Sequence, residues 1–117
     1  MDLFEAIQNQ EVVYLVLDSQ RCGEAAKQLG RLILQDLKTV SGEILDRVSK
    51  RDRTHCMIIV DEFADLATDQ FVGLLYRARS SKLGIIVSHP EIRDLDAFSA
   101  TMRDQVMGNT ATNVAYF

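Results

Sequence analysis

The sequence predicts an α/β fold, a mainly parallel sheet of about four strands with helices on both faces. Three observations carry this reading. Four short apolar segments rich in Val, Ile and Tyr stand out: Val12–Leu17, Cys56–Val60, Gly84–Ser88 and Asn113–Phe117. They are continuous rather than alternating, the pattern of strands buried on both faces. Helical periodicity fills the intervals, so strands and helices alternate along the chain, as in sheets built with right-handed crossovers.

Each element has a local reason. After the first strand, Ala26, Leu29, Ile33, Leu37, Val40, Ile44 and Val48 recur at three- and four-residue steps. They form one apolar stripe on a long helix, with a break expected at Ser41-Gly42. After the second strand, Thr68 or Asp69 can cap a helix carrying Phe71, Leu75 and Ala78. Arg77, Arg79 and Lys82 cluster toward its end, where cations suit the helix dipole. A third helix is expected from Asp96 through Phe98, Met102 and Val106 to a Gly108 cap.

Composition bounds the rest. With 117 residues, 47% of them hydrophobic, one proline and no low-complexity tract, the chain has material for a single domain with its own core. The net charge of −4 comes from interspersed acids and bases, so no basic stripe points to a nucleic-acid backbone. No apolar run approaches the roughly 20 residues of a membrane span, and Met1–Gln10 has no apolar signal core, so a cytoplasmic location is expected. Cys22 and Cys56 lack paired motif spacing, and His55 and His89 are the only histidines, so free, partly buried thiols are expected rather than zinc ligands.

In parallel sheets ligands bind outside the carboxyl ends of the strands. Asp18, Asp61-Glu62 and Ser88-His89 all fall at that predicted edge. Four apolar residues followed by Asp-Glu have the form of a Walker B strand, in which the first acid orients hydrated Mg²⁺ and the second polarises the attacking water. The same pattern also arises in strands whose terminal acids are merely solvated or cap a helix.

The blocks "EVVYLVLDSQR", "AAKQLGRLILQDLK", "MIIVDEFADL", "FVGLLYRARSSKLGIIVSHPEIRDL" and "GNTATNVAYF", in this order and spacing, resemble the C-terminal part of the motor domain of TraD/TraG-like type IV secretion coupling proteins, the ATPases of bacterial conjugation. The resemblance implies a three-layer RecA-like P-loop NTPase fold. It implies ATP and Mg²⁺ as cofactors, a hexameric ring that moves DNA, and a surface that recognises a relaxosome accessory protein beside the type IV secretion channel. It also implies a place at the inner face of the bacterial inner membrane, with membrane contact only through regions outside this chain.

Position by position, the resemblance makes Asp61 the Mg²⁺ residue, through water, and Glu62 the catalytic base. Arg79, or Arg77 in its place, would reach a neighbouring subunit's nucleotide; the bland reading of Arg79 is a dipole-compensating surface cation. Where the family carries a γ-phosphate-sensing glutamine, this sequence has Pro90, so Ser88 or His89 would have to sense the phosphate. The phosphate-cradling loop G-x-x-x-x-G-K-[ST] is missing, since "RCGEAAKQLG" has glycines and a lysine in the wrong spacing.

The expectation is therefore a partial RecA-like domain over residues 1–117, holding the metal and water half of an ATP site. Without the phosphate-loop strand, Gly84–Ser88 and Asn113–Phe117 would flank a gap closed by direct pairing or self-association. Two alternatives stay open. One is a non-catalytic docking domain using the charged face Glu43, Asp46, Arg47, Lys50 and Arg51. The other is a receiver-like Mg²⁺-binding signalling domain with Asp18, Asp61 and Ser88 at strand ends.

Overall fold

The computed structural model describes residues 1–62, 66, 68–88, 101–112 and 114, leaving aside the side chains of Ser19, Met102 and Arg103. Two apolar runs form strands, β1 (Cys56–Val60) and β2 (Leu83–Val87), paired in parallel with Cys56 opposite Leu83 and Val60 opposite Val87. The connection between them carries a helix, α4 (Asp69–Ala78), because parallel neighbours need a crossover. Thr68 caps α4, its hydroxyl accepting the Phe71 N–H at 3.4 Å, as the sequence predicts.

The long predicted helix is present as α3 (Glu24–Arg47), but it runs through Ser41-Gly42 without a break. Ser41 faces inward there and bonds Ser81 Oγ at 2.8 Å, so burial and a polar partner replace the expected turn. Its buried stripe comprises Ala26, Gly30, Leu34, Leu37, Val40, Ser41 and Ile44. Leu29, predicted on that stripe, is 50% exposed, because the helix turns Gly30 and Leu34 to the core instead.

Two elements are not predicted. In α1 (Leu3–Gln8), Asp2 accepts the Glu5 N–H at 3.2 Å while Leu3, Ala6 and Ile7 are buried. The short α2 (Ser19–Cys22) is capped by Asp18. The last helix, α5 (Met102–Gly108), buries Val106 as expected and ends on Asn109, whose N–H bonds Gln105 and Val106 carbonyls. Its predicted beginning at Asp96 lies outside the described residues.

One core joins these pieces: Leu3 and Ile7 of α1, Leu37 and Ile44 of α3, Phe71 and Leu74 of α4, Val60, Leu83 and Val106. The strand residues Cys56, Ile58, Val60, Leu83, Ile85 and Val87 pack on it. Their alternates face the other way, and Ile59 is 72% and Met57 58% exposed. The described residues thus form a mixed helix and strand architecture in which helices cover one face of the sheet, not both. Burial on the second face is not seen among the described residues, since continuous hydrophobicity states what a strand could bury, not what is there to cover it.

The strand expected at residues 12–17 is also not formed. This stretch has no ladder partner among the described residues, and Val12 is 97% exposed. Strand formation needs a partner's backbone groups, which β propensity cannot supply. The fourth predicted strand, Asn113–Phe117, lies outside the described residues except for Val114, which is exposed. Among the described residues the sheet therefore has two strands rather than about four.

Candidate functional site

The parallel register brings the residues after β1 and β2 to one edge. The Ser88 N–H bonds the Val60 carbonyl at 3.0 Å, which seats Ser88 against the end of β1. Its hydroxyl then donates a hydrogen bond to Asp61 Oδ1. The same oxygen accepts the Glu62 N–H at 3.0 Å. Asp61 thus ties the two strand ends together through one oxygen, and Oδ2 makes no hydrogen bond among the described residues. Glu62 adopts φ 51°, the left-handed region that costs a residue with a Cβ roughly 1–2 kcal/mol.

Asp61, Glu62 and Ser88 are exposed. The two acids also line a cleft of about 1030 Å³ between β1 and residues 12–17, floored by Ala26, Gly30 and Leu34 of α3. Gly30 permits the close approach there. A Cβ on it would lie 2.5 Å from Leu66 Cδ2 and 3.0 Å from Leu17 Cδ1.

Among the described residues no group of three or more His, Cys, Asp or Glu side chains could hold a metal ion. What the edge offers is one carboxylate with an oxygen to spare, a hydroxyl and a second carboxylate. That set suits Mg²⁺, which keeps several waters and binds through one or two carboxylates together with ligand phosphates. It does not suit zinc, which takes four close ligands.

The remaining predicted residues are dispersed. Asp18 does not join the cluster; its Oδ1 accepts the Gln20 and Arg21 N–H groups at 3.0 Å each, capping α2. This removes one of the three strand-end groups of the receiver-like alternative. His89 and Pro90 lie outside the described residues. Arg79 is the C-cap of α4 and stands, with Arg77, at the opposite edge of the sheet from Asp61. Five residues of strand separate those edges by about 16 Å.

On the charged face expected to dock a partner, Arg47 pairs with Glu43 at 3.5 Å and lies 4.6 Å over the Phe4 ring, and Arg51 pairs with Asp52 at 3.8 Å. Both cysteines are free; Cys56 is partly buried as expected, whereas Cys22 is exposed. Burial pushes the Cys56 thiol above its ordinary pKa.

One residue that sequence reasoning passes over organises the other end of the molecule. Arg53 donates from Nε to the Val48 carbonyl at 3.1 Å, from Nη1 to Ser80 at 2.9 Å and from Nη2 to Leu45 at 3.3 Å. It satisfies carbonyls at the end of α3 and braces them against the turn before β2. No local signal marks it, because Ser80 is remote in sequence.

Fold and site together define a mixed helix and strand unit in which Asp61, Glu62 and Ser88 share the carboxyl edge of a parallel strand pair. Comparison with protein-family models, curated proteins and solved structures gives no match to this chain. No helix among the described residues is long and apolar enough to cross a membrane.

Proposed function

We propose that this chain supplies the metal and water half of an ATP-hydrolysing site, in a RecA-like motor of the conjugative coupling kind. The observation that carries the reading is the placement of Asp61 and Glu62 at the carboxyl end of β1, with Ser88 from the adjacent parallel strand bonded to Asp61. Ligands of parallel α/β sheets bind at this edge. In the proposal Asp61 would hold hydrated Mg²⁺, with Ser88 fixing its carboxylate, and Glu62 would orient and deprotonate water. The magnesium ion would supply charge neutralisation at the phosphates.

The phosphate-binding half has no counterpart in this sequence, so turnover requires further polypeptide bearing a glycine-rich loop with Lys and Ser or Thr. The uncovered apolar face at Met57, Ile59 and Ile86 supports such completion, since a sheet face of this kind is stable when another layer packs on it. A ring, DNA movement and recognition of a relaxosome accessory protein belong to the same proposal and rest on the sequence resemblance.

The test begins with the coding DNA upstream of Met1, read in frame for that loop. In a protein carrying both halves, Glu62→Gln abolishes ATP turnover while nucleotide binding is retained. Unchanged turnover removes Glu62 from the role.

A further inference from the structure

At the sheet edge remote from Asp61, the turn after α3 and the turn after α4 meet across a cleft of about 350 Å³ lined by Lys50, Arg53, Arg79, Ser80 and Lys82. We propose that this cleft binds a phosphate-class oxyanion. The inference uses the edge opposite Asp61 and Glu62; it shares Arg79 with the resemblance, which would send that side chain to a neighbouring subunit's nucleotide, whereas Lys50 and Lys82 have no part in the nucleotide reading.

The cleft is held in shape. Arg53 spans it with three hydrogen bonds to the Leu45, Val48 and Ser80 carbonyls, so its walls are tied together from α3 to the β2 turn. The Lys82 carbonyl accepts the Cys56 N–H at 3.1 Å, joining the same turn to the start of β1.

Cations are ordinary where helices end, because they offset the carbonyl end of the dipole. Here Arg53 already performs that task with good geometry. Lys50, Arg79 and Lys82 are left over: among the described residues their side chains have no ion pair and no hydrogen bond, whereas neighbouring Arg47 and Arg51 are both paired with acids. Three uncompensated charges around one concavity repel each other, and an anion between them removes that cost.

Lys82 adds a second, independent observation. It adopts φ 60° at a helix-terminating turn, where glycine is the inexpensive residue. The fold therefore holds a lysine at the cleft against a backbone preference.

The donor set selects the class of anion. A planar guanidinium and two ammonium groups line the cleft from two chain segments, which suits a multiply charged tetrahedral group that accepts from several directions. A single carboxylate, with one charge and two oxygens, would leave donors unmatched. The volume falls in the ~300–1,000 Å³ range of small-molecule sites.

The experiment titrates the intact chain with sodium pyrophosphate in EDTA by calorimetry, and in parallel with phosphatidylglycerol or phosphatidylcholine vesicles by sedimentation. EDTA removes any Mg²⁺-dependent binding at Asp61, so failure here and failure of the nucleotide reading are separate results. Saturable pyrophosphate binding is expected, weakened about tenfold or more by Lys50→Gln and by Arg79→Gln. Lys82→Gly is the companion variant, since it removes a cation while relieving the left-handed backbone, so weaker binding there cannot arise from unfolding. Binding to phosphatidylglycerol vesicles alone, lost in the same variants, assigns the phosphate to a lipid headgroup. Absence of saturable binding in both arms, or binding indifferent to all three substitutions, overturns the proposal.

Discussion

The buried serine pair between α3 and the turn before β2 allows a prediction with a definite sign and size. Ser41 and Ser81 are both 0% exposed and lie 2.8 Å apart, oxygen to oxygen. Ser81 has one proton, which reaches the Arg77 and Ala78 carbonyls at 3.1 Å each, so Ser41 is the donor of the shared bond. Ser41→Ala removes that one neutral hydrogen bond and leaves an unmatched lone pair, at a cost of about 1 kcal/mol. For a chain of this length that lowers the melting midpoint by about 4 °C.

Ser81→Ala is expected to cost more, about 1–3 kcal/mol, because it removes the partner of the buried Ser41 hydroxyl and the hydroxyl donor of the Ala78 carbonyl, while the Arg77 carbonyl keeps the Ser81 backbone N–H at 3.3 Å. Ser41 can recover part of this by donating to the Leu37 carbonyl one turn back, as helical serines do. The double variant leaves neither hydroxyl in the core, so its cost falls short of the sum by about 1 kcal/mol. Urea unfolding of the four proteins, followed by circular dichroism, measures that coupling. Additivity within ~0.3 kcal/mol, or an unchanged midpoint for Ser41→Ala, would refute the bonding scheme.

Two further outcomes follow from single residues. Glu62 stands at φ 51°, so Glu62→Asn, a residue that tolerates this region, should unfold at or above the wild-type midpoint while Glu62→Ala does not; equal midpoints for the two variants would mean the left-handed turn stores no strain. Burial raises the Cys56 pKa in the folded state, so its neutral thiol favours folding below the unfolded-state pKa, and that contribution is lost as pH rises through the folded-state value. Iodoacetamide should accordingly modify exposed Cys22 well before Cys56 between pH 7 and 8, terms in which mass spectrometry of timed samples gives a direct answer, and equal rates would contradict the burial.

Much of the helical structure was legible because its causes are local. The Thr68 cap, the α3 stripe from Ala26 to Ile44 and the apolar runs of β1 and β2 each depend on residues a few positions apart. The Asp2 cap with Leu3 and Ile7 is the same kind of signal compressed into one turn and a half, too short to stand out. The Asp61-Glu62 pair was visible as a motif, and its edge position follows from β1 being a strand.

What the amino-acid order left undetermined is what depends on partners distant in sequence. Residues 12–17 have the composition of a strand, but pairing requires another backbone at the right spacing, and only the assembled molecule settles whether one arrives. Leu29 matches the helical period yet faces out, since the rotation of α3 is chosen by what packs on it. Ser88 meets Asp61 only through the parallel register, 27 positions away. Arg53 and the three uncompensated cations converge because two helices end beside each other, a relation among Leu45, Val48 and Ser80 that no window of sequence contains. Local propensity and periodicity therefore specified the elements, while hydrogen bonds and burial across long sequence separations decided which of them meet and which side chains share an edge.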